Sequence, residues 1–420
     1  MNALRSKVLL HLKKKVESGN IEAINTFWDE ILRQGTPIIE KDESNNNNSL
    51  VTILFRGQHD TENIVIHGTG VGFNYMENRM ERLLDTDVWY KTYIFPNDIE
   101  FVYWLSVNDA LDDDAEKRQK NFIIDPLNPE KFIMKDDPEA PSGYDFTISY
   151  VKMPKVKHKR WIEYKETSQK GMLDKYLYNS VVLGNERRIW VYTPHGYSVN
   201  NEEYRLVLLN DGNSYVNWLS AQNVLDNLLE QGIISPVVVV FISSSETRVK
   251  ELTFNDDYLS FVINEIIPFV KSKYNIANTP QKTIIGGFSL GGLAAAYLGL
   301  KRPDIFGNVL SQSGSLFWKQ EEESEWLIHQ YENIYKLPLR FFITYGSLEN
   351  SPIAGPTLIQ SNKKFIQVLE DKGYEVSHLE FKSGHDYLNW GETLAEGLIS
   401  LFERGKNYET NKLVRKSSRH

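Results

Sequence analysis

A serine, a histidine that takes its proton and a carboxylate that orients the histidine can together make a hydroxyl nucleophilic. The segment Gly286-Gly287-Phe288-Ser289-Leu290-Gly291-Gly292 holds a serine in a G-x-S-x-G setting. The apolar run Thr283-Ile284-Ile285 precedes it, and the small-residue stretch Leu293-Ala294-Ala295-Ala296-Tyr297-Leu298 follows. Strand, tight turn and helix in that order form the elbow that lifts a nucleophile to the top of a sheet, at a helix N-terminus. A bare G-x-S-x-G arises often by chance, so the flanking elements carry the reading.

In hydrolases of this kind the chain order is serine, acid, histidine, with acid and base on loops after late strands. His329, His378 and His385 follow Ser289 before the tail. His329 lies in the polar insert 320–335, read as a surface helix, and His378 lies inside a predicted last strand, 377–381. His385, in Ser383-Gly384-His385-Asp386-Tyr387, sits just after that strand, where the base belongs. Glu349, in Tyr345-Gly346-Ser347-Leu348-Glu349-Asn350 after the predicted strand 339–344, has the order and place of the acid; otherwise it is a surface loop carboxylate. Asp386 adjoins His385, and sequence neighbours rarely reach the Nδ1 face; Asp304 reads as a helix-end residue.

A tetrahedral intermediate needs two N–H donors. One is the amide of Leu290; the other is expected from Asn213 in the loop Asn210-Asp211-Gly212-Asn213-Ser214 after strand 206–209. Gly212 lets backbone approach the reacting carbonyl, and Asp211 reads as a brace that bonds loop backbone. Arg248 follows the buried run Val237–Ile242 on the same rim, where it either clamps an anionic or catechol-type group or pairs with Glu251. Trp318, Tyr387 and Trp390 follow late strands and form either an aromatic wall for a flat ligand or local packing.

The elements that must position these residues alternate strand and helix from about residue 161: strands at 188–192, 206–209, 237–242, 283–285, 308–311, 339–344 and 377–381, helices at 217–230, 256–274 and 359–372. Two continuous apolar runs, 206–209 and 237–242, read as buried central strands of a mostly parallel sheet. The first part differs. Residues 3–34 read as helix with apolar stripes, stopped by Gly35-Thr36-Pro37, and short aromatic-rich strands follow. Among them, 88–95 and 101–105 read as a hairpin around Pro96-Asn97-Asp98. The fold class is therefore α/β: an α/β-hydrolase domain preceded by a small immunoglobulin-like β-sandwich with an N-terminal helical segment. The boundaries are 1–150, a basic linker 151–160, 161–406 and a polar tail 407–420.

A net charge of −9 argues against nucleic acid or an anionic membrane as partner. With no cysteine, disulfides and thiolate chemistry are excluded. No stretch approaches the roughly 18 apolar residues of a membrane span, and the first residues lack a signal-peptide core, so a cytoplasmic protein is expected.

At this point the chain resembles the enterochelin (enterobactin) esterases. In the second half the resemblance rests on LGNERRIWVYTP (183–194), LLNDGNSY (208–215), TRVKELTFNDDYLSFVINEIIPFV (247–270), GGFSLGG (286–292), LSQSGSLFW (310–318), YGSLEN (345–350) and GHDYLNW (384–390). In the first half it rests on FWDEILRQGTPIIE (27–40), TDVWYKTYIFPND (86–98) and DPLNP (125–129), which are the more specific because general esterases lack that domain. Asn210 departs from the family, where many members carry an acid before the Asp-Gly pair; the Asn-rich loop 44–48 and the insert 319–335 are not clearly shared. The resemblance implies Ser289 as nucleophile, His385 as base, Glu349 as acid, an Arg248–substrate contact and a sandwich that helps cover the substrate. It implies hydrolysis of a catecholate siderophore trilactone in the cytoplasm, with no metal or cofactor of the enzyme's own; iron arrives with the substrate. A broader esterase of aromatic or acetyl esters, or a siderophore-binding protein without turnover, are the other readings.

Overall fold

A computed structural model describes residues 4–137, 145–200, 203–350 and 356–402. The chain divides into two units: residues up to His158 together with Lys382–Leu388, and Lys159–Phe381 together with the chain from Asn389.

In the first unit the helical start is two helices, Lys7–Glu17 and Glu22–Gln34. Ser6 caps the first by accepting from the Leu9 amide at 3.3 Å. Gly35, at φ 79°, ends the second, a left-handed position that glycine occupies without strain. Their apolar stripes, Leu9, Leu12, Phe27, Trp28 and Ile31, bury against Leu54 and Val88 of the strands and Leu83 just after one. Two antiparallel sheets follow. One has the order Ile38–Lys41, Asn48–Arg56, Val88–Pro96, Glu81–Arg82; the other has the order Ile64–Gly68, Glu100–Val107, Phe146–Lys152, Lys131–Met134.

The expected hairpin between 88–95 and 101–105 does not form. Val88–Pro96 pairs with Asn48–Arg56 on one edge and Glu81–Arg82 on the other, while Glu100–Val107 pairs in the second sheet. One edge of the first strand is paired along its length and Glu81–Arg82 takes Trp89 and Tyr90 on the other, while residues 97–99 carry the chain across to the other sheet. Phe95 and Phe101 then meet ring to ring, with centroids 4.6 Å apart.

The second unit is an eight-stranded sheet in the order Met172–Ser180, Asn185–Thr193, Val237–Ile242, Arg205–Asn210, Thr283–Phe288, Asn308–Gln312, Arg340–Gly346, Glu375–Phe381. The first two junctions are antiparallel and the rest parallel. Every residue of Val237–Ile242 is buried, as its unbroken apolar run requires. The chain leaves Arg205–Asn210 for a strand on one side and returns to one on the other. The strand ends there form the switch point where ligands bind in open α/β sheets.

The predicted helix 256–274 is interrupted. Asp256–Ser260 and Ile267–Lys271 are α-helical, and Phe261–Ile266 between them is a wider π turn. Pro268 lacks an N–H, which removes one i→i−4 bond and favours the widening. The edge strand Met172–Ser180 is not among the expected elements; its mostly half-buried residues lack the apolar run that marks the central strands.

Candidate active site

Ser289 stands between the strand Thr283–Phe288 and the helix Leu290–Lys301 with φ 55° and ψ −122°. Such a conformation costs a non-glycine residue on the order of 1–3 kcal/mol, so its surroundings must hold it. The Ser289 amide donates to the Gln312 carbonyl at 2.9 Å. Its own carbonyl accepts from Gly292 and Leu293 at 3.1 Å and from Ser315 at 3.0 Å. Gly287 makes the sharp turn possible, because a Cβ there would lie 2.6 Å from the Gly291 carbonyl carbon. The side chain is half-buried among buried neighbours, and its Oγ lies 3.4 Å from Ser315 Oγ. Leu290 opens the helix, so its amide belongs to the first turn, whose N–H groups have no partner within the helix.

The loop after Arg205–Asn210 runs straight into a short helix, Gly212–Asn217, with Asp211 at φ 58°. Gly212 is required here by its neighbours: a Cβ would lie 2.4 Å from the backbone carbon of Phe241. Asn213 occupies the second position of that helix, and its side-chain Oδ1 accepts from the Ser244 amide at 3.1 Å. Asn210 bridges two elements. Its Nδ2 donates to the Gly291 carbonyl at 2.9 Å and its Oδ1 accepts from the Tyr258 hydroxyl at 2.8 Å.

Two expectations about this rim are corrected. Arg248 does not pair with Glu251; it forks onto Asp211, with Nε 2.6 Å from Oδ1 and Nη2 2.7 Å from Oδ2. Glu251 instead takes the buried Arg187 at 2.6 Å. Asp211 braces the loop through side chains rather than backbone, since it also accepts from the Ser244 hydroxyl. A bidentate carboxylate–guanidinium pair with Asp211 only 3 % exposed is geometrically rigid, and it leaves Arg248 at the rim aimed by its partner.

Glu349 lies in the loop after Arg340–Gly346, but it is no surface carboxylate. It is 5 % exposed, and its Oε2 accepts from the Gly346 amide at 2.9 Å. His385 lies half-buried in the loop Lys382–Leu388, which belongs to the first unit. That loop is tightly tied. Ser383 Oγ donates to the Glu100 carbonyl at 2.8 Å, the Glu100 amide to the Lys382 carbonyl at 3.1 Å, and Thr69 Oγ1 to Asp386 Oδ2 at 2.7 Å. Asp386 also accepts from the Leu388 amide at 3.1 Å, so its carboxylate is engaged in bracing.

The three aromatic candidates separate. Trp390 is interior, 3 % exposed, stacked on Phe288 at 4.3 Å, and its Nε1 donates to Ser313 Oγ at 3.1 Å. It packs against the strand that precedes Ser289 and is not part of an exposed wall. Tyr387 stacks on Phe132 with ring planes 2° apart, and Trp318 lies half-buried beside Phe317. His329 and His378 are placed elsewhere: His329 Nδ1 is 2.6 Å from Glu323, and His378 lies within the strand Glu375–Phe381.

Sequence reasoning missed Gln312, Ser315, Tyr215 and Ser244. One signal was available. The run Leu310-Ser311-Gln312-Ser313-Gly314-Ser315 places polar residues where a central strand ends, and all six are buried.

A family model described as Esterase matches residues 180–401, just over half of the chain, and one described as the enterochelin esterase N-terminal domain matches residues 50–162. The chain is 28 % identical over 363 residues to the iron(III) enterobactin esterase of Escherichia coli O6:H1, covering 80 % of this chain and 86 % of that protein. The enterobactin esterase of Shigella flexneri, crystallised in the presence of enterobactin, superposes with a TM-score of 0.69 at 25 % identity, covering 88 % of this chain and 96 % of that one. The same Shigella protein crystallised in the presence of 2,3-dihydroxy-N-benzoyl-serine gives a TM-score of 0.68 at 25 % identity, with 90 % and 97 % covered.

Proposed function

The chain belongs to the Esterase family, and from that premise we propose that it is a serine esterase that hydrolyses the trilactone backbone of catecholate siderophores such as enterobactin, iron-loaded or free. One observation carries the proposal: a strained serine elbow and an enterochelin-esterase N-terminal domain occur in the same chain.

Ser289 Oγ attacks a lactone carbonyl while His385 takes its proton, and Glu349 holds the imidazolium in orientation. The amides of Leu290 and Asn213 receive the oxyanion. The intermediate collapses by breaking the bond to the leaving alkoxide oxygen, which takes the proton from His385. Water, deprotonated by His385, then cleaves the Ser289 acyl ester and regenerates the serine. Arg248, aimed by Asp211, contacts an anionic or catechol-type group of the substrate. Opening the macrocycle removes the preorganisation of its three catechol arms and so weakens iron chelation.

Among the described residues no helix is long and apolar enough to cross a membrane. We place the reaction in the cytoplasm, where iron released from the chelate is used.

The test is chromatography with mass detection of a tris-catecholate trilactone, with and without iron, after incubation with wild type or Ser289→Ala. Linear trimer, then dimer, then monomer with wild type only is the expected result. A trilactone that survives while a simple aryl ester is cleaved would leave the serine chemistry standing and overturn the substrate.

A further inference from the structure

We propose that Gln312 is a positioning residue of this reaction, holding the nucleophile, the oxyanion loop and the helix that leaves the histidine loop in one register. The inference rests on the assignment of Ser289 as nucleophile and of the 211–213 loop as oxyanion donor.

Gln312 ends the strand Asn308–Gln312, in register with Phe288 of the neighbouring parallel strand. Its main-chain carbonyl accepts the Ser289 amide at 2.9 Å, one of the bonds that hold the strained elbow. Its side chain reaches the other two segments. Oε1 accepts from the Tyr215 hydroxyl at 2.5 Å, and Tyr215 stands two residues beyond Asn213 on the helix Gly212–Asn217. Nε2 donates to the Trp390 carbonyl at 2.7 Å and to Thr393 Oγ1 at 2.6 Å, both on the helix Tyr387–Phe402, which starts two residues after His385.

The amide is completely buried, and both of its ends are satisfied. A buried amide is costly unless fully paired, and an apolar residue of the same shape would fill the space without needing partners. The polar choice therefore adds direction rather than bulk. Three hydrogen bonds of fixed geometry connect three segments that are far apart in sequence. Tyr215 serves as a constant donor, since burial and the charge of Asp211 push its hydroxyl well above the ordinary tyrosine range. Trp390, whose main-chain carbonyl Gln312 grips, also stacks its ring on Phe288 directly before the nucleophile, so that residue is held through both main chain and side chain.

The test measures steady-state kinetics on p-nitrophenyl butyrate and the rate of Ser289 labelling by a fluorophosphonate. The variants are Gln312→Met, Tyr215→Phe, the double variant and Thr393→Val, with Ser289→Ala as reference. Misplacing reacting groups by a fraction of an ångström costs rate rather than binding, so Gln312→Met should lower kcat about ten- to hundredfold with KM within about twofold. Labelling should slow in step. Tyr215→Phe should cost severalfold alone and add nothing to Gln312→Met, because it removes the same bond. If Gln312→Met fails to fold, Tyr215→Phe and Thr393→Val carry the test, each removing one hydroxyl. A kcat within twofold of wild type in the folded variants, with only the melting temperature lowered, overturns the positioning role while Ser289→Ala remains inactive and unlabelled. Turnover by Ser289→Ala would overturn the nucleophile assignment, and this inference with it.

Discussion

Ser289 and Glu349 are the residues at which local geometry carries most chemical meaning. Positive φ at a serine is tolerated only because four backbone hydrogen bonds and a glycine turn hold the elbow. Glu349 is buried and bonded to the backbone of its own loop, a position that a surface carboxylate would have no reason to take. Asp386, next to His385 in sequence, is already occupied by Thr69, Ser383 and the Leu388 amide. Glu349→Gln should therefore lower kcat by about a hundredfold or more, since a wrongly held imidazole loses most of its power as a base. Asp386→Asn should retain most of the activity. Equal and small losses in both variants, measured on an aryl ester, would remove Glu349 from the acid role.

Among the elements, the loop Lys382–Leu388 is the least expected. Sequence order places it after the last strand of the hydrolase sheet, yet its hydrogen bonds run to Thr69 and Glu100 of the first unit. Gly384 fits because a Cβ would lie 2.3 Å from Thr69 Cβ. Thr69→Val keeps that shape and deletes the bond to Asp386. A single hydrogen bond is worth about 1 kcal/mol, so kcat should fall about three- to tenfold if the loop must be held to present His385. An unchanged kcat with a lowered melting temperature would make Thr69 a stability residue only.

For the whole molecule, two units with separate sheets carry groups of opposite titration, one buried and one half-buried. In the first, burial pushes the His67 imidazole down to about 4 from its ordinary 6.5, against the pull of nearby Asp109. The folded state disfavours protonation, so this contribution is complete above about pH 6.5 and is lost as pH falls towards 4. In the second unit, burial pushes the Glu392 carboxyl up from 4.5 to about 7, against the Trp161 amide that donates to it at 3.1 Å. That contribution is complete below about pH 4.5 and is lost as pH rises through about 7. A chain of two units need not melt in one transition. Scanning calorimetry should show Glu392→Gln raising the melting temperature of the second unit at pH 8 and not at pH 4.5. His67→Phe should flatten the acid-side loss of the first unit. Identical pH dependence of wild type and both variants would remove these two groups from the linkage.

Read alone, the sequence shows the strand–turn–helix elbow around Ser289 and the change from an aromatic-rich β region to an alternating α/β region. These are legible because they depend on local periodicity, turn chemistry and motif spacing. The packed fold puts 88–96 and 100–107 in different sheets, because strand pairing depends on partners distant in sequence. It alone gave Arg248 its partner Asp211 and buried Trp390 beneath Phe288. It alone joined Gln312 to Tyr215, Trp390 and Thr393, since residues about eighty to a hundred positions apart meet only through the packing of the whole sheet.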